Sequence, residues 1–389
     1  MFKSDLDTLK SQGANITTLE IKQQPELWRD TFNIYLDNKA AIEKFLIEAK
    51  ASSTGQRINV VFSGAGTSAY VGNTISPYLY HAGDTDTYDF RPIATTDIVS
   101  APLDFLRAAD PTIFVSFARS GNSPESLAAV ERAGQVLNNV KFLNITCAPE
   151  GHLAVDFKDN PDALTLLIPR ANDQGFAMTG SYSCMALLAM LIFDIASDEQ
   201  KATWVDQIAK MGEEVVNRED EIADYLAGDF NRITYLGSGA LGGLTQEAQL
   251  KVLELARGLV ATSFDTSMGY RHGPKSFVND KTLVFVFVNN NEYTRQYDLD
   301  ILEEIHGDGI AQKTIAIQQD CGKTFGHESF TFSGYDALPE GYLALPYVMV
   351  AQTVSLLNSV RVGNTPDTPS PTGTVNRVVK GVTIHPFGE

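Results

Sequence analysis

Cysteine is nearly missing from this chain. The three present among 389 residues, Cys147, Cys184 and Cys321, are scattered and show no CxxC spacing. That pattern speaks against a disulfide framework and a thiolate zinc site, and it predicts a reducing compartment. Basic residues are also short: 30 Lys and Arg stand against 48 Asp and Glu, for a net charge of −18. Such a field argues against nucleic acid or an anionic membrane as partner. An anionic substrate is compatible with it only where a local cluster of donors overrides the global charge. Long apolar runs are missing too. The longest, Met185–Ala196, is too short to cross a bilayer and contains Asp194. The first fifteen residues have no apolar stretch of the kind a signal peptide needs. The expectation is a soluble, cytoplasmic protein.

What is present describes an ordinary globular chain, 43% hydrophobic and 20% charged, long enough for two domains. Residues 25–50 show helical spacing and read as a helical pair. Short buried-type strands then alternate with helices: 59–63, 112–117, 140–146 and 163–168, closed by an apolar helix over 178–195. The order repeats with strands 232–236, 282–288, 313–317 and 329–332 and an apolar helix over 342–360, where Pro346 should sit near the start or form a kink. Runs rich in Val, Ile, Leu and Phe fit strands covered on both faces of a parallel sheet. The fold class is therefore α/β, with two doubly wound parallel-sheet domains at 51–200 and 215–360. A helical segment (1–50) precedes them, a polar connector lies near 198–218, and a tail (361–389) follows.

A glycine turn with one rhythm occurs in both halves. Val60–Tyr70 reads VVFSGAGTSAY and Thr234–Gly243 reads TYLGSGALGG. Each is a strand, a tight turn and a helix start, which suits an anion at the helix N-terminus. Gly64-Ala-Gly66 also fits the dinucleotide fingerprint, with Asp86 and Asp89 at the distance expected for a ribose contact. The loop after the strand at 112–117 separates the readings. There, Arg119-Ser120-Gly121-Asn122-Ser123 leads into Pro124, with Ser123 placed as N-cap before Pro at N1. Thr67, Ser68, Ser120 and Ser123 can converge on a phosphate monoester, whereas a dinucleotide has no need of the second loop. Taken singly, each serine is more simply structural. The second turn carries Ala240 and Leu241 where the first has Thr67 and Ser68.

These two loops resemble the sugar isomerase (SIS) domain, a flavodoxin-like module that binds phosphorylated sugars. The chain resembles a tandem-SIS aldose/ketose isomerase, similar to the isomerase half of glucosamine-6-phosphate synthase. Its motifs FSGAGTSAY, SFARSGNSPES, GFAMTGS, LKVLELARG, GYRHGPKSFV, YTRQYDLD and RVGNTPDTPSPTGTVNRVVKGV are closer to the galactosamine-6-phosphate deaminase/isomerase family, also labelled tagatose-6-phosphate ketose/aldose isomerase. The resemblance implies phosphate binding by Ser68, Ser120 and Ser123, with Gly66, Thr67 and Arg119 beside them and Thr179 as a lining residue. Ala118 departs from the pattern, which usually has serine there.

Glu247, Lys251 and Glu254 are spaced i, i+4, i+7 within 245–258, so they share one helical face. Spacing alone favours a solvated, ion-paired face. The resemblance implies instead that Glu254 is the base between C1 and C2, with Lys251 and Glu247 as supporting charges. It assigns ring opening to His272, in the Gly/Pro-framed basic loop Tyr270–Lys275; imidazole ordinarily titrates near pH 6.5. In the family this histidine can come from the neighbouring subunit, which makes a homodimer the expected assembly. Lys380, in a tail expected to cover the site, matches a lysine near the sugar.

The expected activity is deamination of an amino-sugar 6-phosphate: galactosamine 6-phosphate to tagatose 6-phosphate and ammonia, with no metal and no cofactor. Isomerisation without loss of nitrogen is one alternative. A sugar-phosphate sensor is another, and it ranks last because the chain has no basic helix-turn-helix-like extension.

Overall fold

Two five-stranded parallel sheets carry the chain in a computed structural model that describes residues 1–379 and 381–388. The first sheet is built from β1 (Ile58–Ser63), β2 (Tyr88–Pro92), β3 (Thr112–Ala118), β4 (Val140–Thr146) and β5 (Ala163–Leu167), ordered β2-β1-β3-β4-β5. The second is built from β6 (Arg232–Gly237), β7 (Ala261–Thr266), β8 (Thr282–Phe287), β9 (Lys313–Gln319) and β10 (Ser329–Phe332). Its order, β7-β6-β8-β9-β10, is the same topology repeated. That order is the flavodoxin-like one, with its switch point between the first and third strands of each half.

The long helices are α1 (Gln24–Ser52), α2 (Thr67–Ala82), α3 (Pro124–Val136), α4 (Gly180–Phe193), α5 (Asp198–Asn217), α6 (Ala240–Leu255), α7 (Glu292–Asp308) and α8 (Glu340–Arg361). The expected helical pair at 25–50 is one continuous 29-residue helix, because nothing after Pro25 breaks it. Two strands escaped the sequence reading, β2 (YDFRP) and β7 (ATSFDT). Both are sheet edges, where one side of the ladder faces no strand and the apolar signal is weak.

One compact unit comprises Leu27–Asp173, Gly180–Lys201 and Gly373–Glu389 and holds the first sheet. Its central strand β3 is buried along all seven residues. Val61, Phe114 and Phe142 pair in register and pack under Ala129, Val130 and Ala133 of α3. The other unit comprises Met1–Glu26, Gln174–Thr179 and Ala202–Thr372 and holds the second sheet. There Val284, Val286 and Ala316 pack against Leu299, Leu302 and Ile305 of α7. Helix α8 is long and apolar enough to cross a membrane, but 89% of its apolar window is buried inside the protein. Pro346 lies inside α8, in its second turn.

Candidate active site

In the first unit, the adjacent parallel strands β1 and β3 end at the same edge of the sheet, one in the glycine turn and the other in the serine loop. The β1–α2 turn closes on itself: a Cβ on Gly64 would strike the backbone of Ser68, so only glycine permits that approach. Gly66 has φ 56° and ψ −127°, a conformation that L side chains rarely adopt, and the direction of its missing Cβ opens to free space. Thr67 and Ser68 follow as the first two residues of α2, each only 5% exposed. From β3, Ala118 passes into the loop Arg119–Ser123. Ser120 Oγ accepts the Asn122 N–H at 3.3 Å. Ser123 stands at the N-cap of α3, as the Ser-Pro pair predicts, yet its side chain makes no capping hydrogen bond. Its hydroxyl is therefore not used in holding the helix.

Arg119 is almost fully buried and donates from Nη2 to the Arg377 carbonyl at 2.8 Å. Arg377 in turn reaches the Asp173 carbonyl and the Asn172 side chain. Arg132 on α3 donates to the His385 carbonyl at 2.7 Å and lies over the Phe387 ring. The C-terminal residues thus lie against the unit that carries the serine loop. Lys380, the tail lysine singled out from the sequence, lies outside the described residues.

Sequence reasoning missed a polar row beneath these loops. Ser63 and Ser116 face each other in the β1–β3 register, and Thr146 faces Ala118 in the β3–β4 register. All three hydroxyls are buried and lack a hydrogen-bond partner. Thr146 Oγ1 lies 3.4 Å from where a Gly121 Cβ would stand, directly under the serine loop. Side-chain hydroxyls inside otherwise apolar strands were the available signal. The hydroxyl absent at Ala118 has its nearest counterpart here, on the neighbouring strand.

In the second unit, α6 begins at Ala240, directly after the glycine turn, five residues earlier than the helical pattern from Thr245 indicated. Its charged stripe is not solvated. Glu247 is 0% exposed and Lys251 1%, while Leu253 on the same helix is 41% exposed. Lys251 Nζ lies 2.6 Å from Glu254 Oε2 and 3.5 Å from Glu247 Oε1. Only Glu254, with its side chain 24% exposed, opens outward. Burying charge while exposing leucine opposes ordinary amphipathic packing, and removing ions from water costs several kcal/mol each unless they are paired. An arrangement so costly sets this face apart from the solvated one that spacing alone favours.

His272 follows a single helical turn, Gly269–Arg271. Its loop is pinned on both sides: Tyr270 is fully buried, and Arg271 Nε and Lys275 Nζ both meet Glu304 of α7, at 2.6 and 2.5 Å. The His272 imidazole is left exposed. Thr179 is fully buried in this same unit, its carbonyl accepting from Gln352 Nε2 at 3.5 Å. Among the described residues, no group of three or more His, Cys, Asp or Glu could hold a metal ion.

The second glycine turn repeats the first in backbone but not in contents. Gly239 has φ 60° and ψ −132°, matching Gly66 within a few degrees. Around it stand two acidic side chains that the sequence did not single out. Asp298 of α7 accepts from Ser238 Oγ at 2.6 Å, Ser267 Oγ at 2.5 Å and the Asn289 N–H at 2.9 Å. Burial pushes the Asp298 carboxyl up to about 6, opposed by those three donors. Glu340, the first residue of α8, accepts from the Ala240 N–H at 3.3 Å and from Asn289 Nδ2.

Comparison with known proteins places this architecture. No protein-family model matches the chain. It is 39% identical over 381 residues to the D-galactosamine-6-phosphate deaminase AgaS of Escherichia coli, covering 95% of this chain and 96% of that one. It is 40% identical to a Streptomyces coelicolor protein provisionally given the same name, covering 96% of each. Among solved structures, a Clostridium novyi NT protein provisionally named a tagatose-6-phosphate ketose/aldose isomerase superposes with a TM-score of 0.92 at 39% identity, covering 100% of this chain and 99% of that one.

Proposed function

Because the chain belongs to the D-galactosamine-6-phosphate deaminase family, we propose that it converts galactosamine 6-phosphate to tagatose 6-phosphate and ammonia. The protein is an enzyme, and a sugar phosphate is its substrate class. The observation that carries the reading is the buried Glu247-Lys251-Glu254 row, in which Glu254 alone is open to a substrate.

Each step then falls to a group already described. The phosphate is held by Thr67, Ser68, Ser120, Ser123 and the backbone N–H groups at the starts of α2 and α3, with Arg119 beside them. His272 opens the pyranose by moving a proton between O5 and O1. Glu254 removes the C2 proton and returns it to C1, which converts the amino aldehyde through an enolamine to an imine at C2. Water adds at C2 and ammonia leaves, giving the ketose. One carboxylate serves both carbons because they are adjacent, and Lys251 keeps it ionised and oriented.

A homodimer is part of this proposal. Leu253, Leu259, Phe264 and Met268, at or beside edge strand β7, are 41–51% exposed. An apolar patch of this kind next to the His272 loop suits burial against a second copy, in which His272 serves the partner's site.

The name of the Clostridium neighbour favours a second reading, aldose/ketose isomerisation with no nitrogen lost. Both share ring opening and the proton shift. A panel of hexose and hexosamine 6-phosphates, scored for ammonia and for ketose, separates them. Ammonia from galactosamine 6-phosphate supports deamination. Ketose from a hexose 6-phosphate, with no ammonia from any hexosamine, would overturn it.

A further inference from the structure

The two glycine turns share a backbone, and the difference between them lies in what fills the space in front. At Gly66 the direction of the missing Cβ is open. At Gly239 the same direction points into the Glu340 carboxylate, which a Cβ would strike. Glu340 accepts from the Ala240 N–H, the first residue of α6, and from the side chain of Asn289. Asn289 lies in the loop after β8, the counterpart of the serine loop after β3. Its backbone N–H goes to Asp298, which also takes the hydroxyls of Ser238 and Ser267. At this strand end the Ala240 N–H, the Asn289 side chain and backbone N–H, and the hydroxyls of Ser238 and Ser267 therefore all reach one of the chain's own carboxylates.

We propose that Glu340 is an internal anion occupying the position that substrate phosphate takes in the first half, and that it thereby fixes the start of α6, the helix bearing Glu254. The assignment rests on Glu254 being the proton-transfer base. An N-terminal carboxylate favours the helix dipole of α6, and Glu340 also sits at the start of its own helix, α8. The Asp298 carboxyl beside it is raised chiefly by burial and, to a lesser degree, by the Glu340 charge. The first-half turn, open in front of Gly66, is left to bind and release phosphate with each turnover, whereas the second stays filled by Glu340. In this role Glu340 is a positioning residue: it touches no reacting atom and acts through α6.

The test uses Glu340→Ala and Glu340→Gln in the full-length chain. Glu340→Ala should lower kcat for ammonia release by about ten- to a hundredfold, the scale of a misplaced catalytic group, with KM for the sugar phosphate unchanged. Added acetate, which matches the deleted CH2–COO⁻ group, should restore kcat in Glu340→Ala and leave wild type unaffected. Equilibrium dialysis with inorganic phosphate should show a second bound equivalent per chain in Glu340→Ala that wild type lacks. Glu340→Gln keeps the shape and loses the charge, so it should show the kcat fall without acetate rescue. Wild-type kcat in both variants, or a fall with neither rescue nor a second phosphate, overturns the assignment. If wild type releases no ammonia from any hexosamine phosphate, the proposed function fails, while the dialysis arm still decides whether Glu340 fills the cradle.

Discussion

Replacing Lys251 with methionine isolates the energetics of the buried charge row. The lysine is 1% exposed and stands between Glu247, 0% exposed, at 3.5 Å and Glu254 at 2.6 Å. Methionine fills a similar volume but leaves a carboxylate inside the protein without its cation. Removing one partner of a buried pair costs about 3–5 kcal/mol. The unit that contains α6 has roughly two hundred residues, for which each kcal/mol lowers Tm by about 2–4 °C. The expected fall is therefore on the order of 6–20 °C by differential scanning calorimetry. The double variant Lys251→Met/Glu247→Gln should regain part of that loss, because the stranded charge is gone, so the two substitutions should be strongly non-additive. Glu247→Gln alone leaves the 2.6 Å Lys251–Glu254 pair and should cost less than Lys251→Met. A Lys251→Met variant within about 1 kcal/mol of wild type, with additive behaviour in the double variant, would refute a buried and coupled row.

The other predictions address the chemistry and the cradles. Glu254→Gln should lower kcat for ammonia release by about 10²–10⁴-fold, the usual contribution of a positioned base, with KM little changed in steady-state assays. Ser68→Ala and Ser123→Ala should raise KM for the phosphorylated sugar and weaken inhibition by inorganic phosphate, with smaller effects on kcat. Asp298 sets a pH dependence of known sign. Its carboxyl is raised from 3.8 to about 6 on folding, so its contribution to stability is full below about pH 4 and is lost as pH rises through 6. Asp298→Asn does not titrate, so its unfolding free energy relative to wild type, read by thermal or denaturant unfolding, should rise between pH 4 and 7, by on the order of 2–3 kcal/mol at most. A flat difference across that range contradicts the buried, charge-disfavoured carboxyl.

Much of the fold was legible because a parallel sheet announces itself in continuous apolar strands. TIFVSFA and TLVFVF leave little choice of element, and the repeated Gly-x-Gly turn fixes where each half begins. The edge strands β2 and β7 were not legible, since YDFRP and ATSFDT satisfy one neighbour and solvent instead of a core. The glycine turn and the serine loop could be read from local order, as strand, glycine turn, hydroxyl and helix start follow one another in sequence. The burial of Glu247 and Lys251 could not. Their spacing is that of a solvated face, and only tertiary packing shows the charges inside and Leu253 outside. Asp298 and Glu340 were invisible for the same reason: they reach the second turn from α7 and α8, about 60 and 100 residues farther along the chain.

The most direct test of the central claim is turnover of galactosamine 6-phosphate in D2O, followed by NMR with a parallel ammonia assay. The account predicts equal amounts of ammonia and tagatose 6-phosphate, any deuterium in the product confined to C1, and turnover by Glu254→Gln slower by about 10²–10⁴-fold. A ketosamine 6-phosphate that keeps its nitrogen, deuterium found elsewhere than C1, or a Glu254→Gln variant as fast as wild type would contradict it.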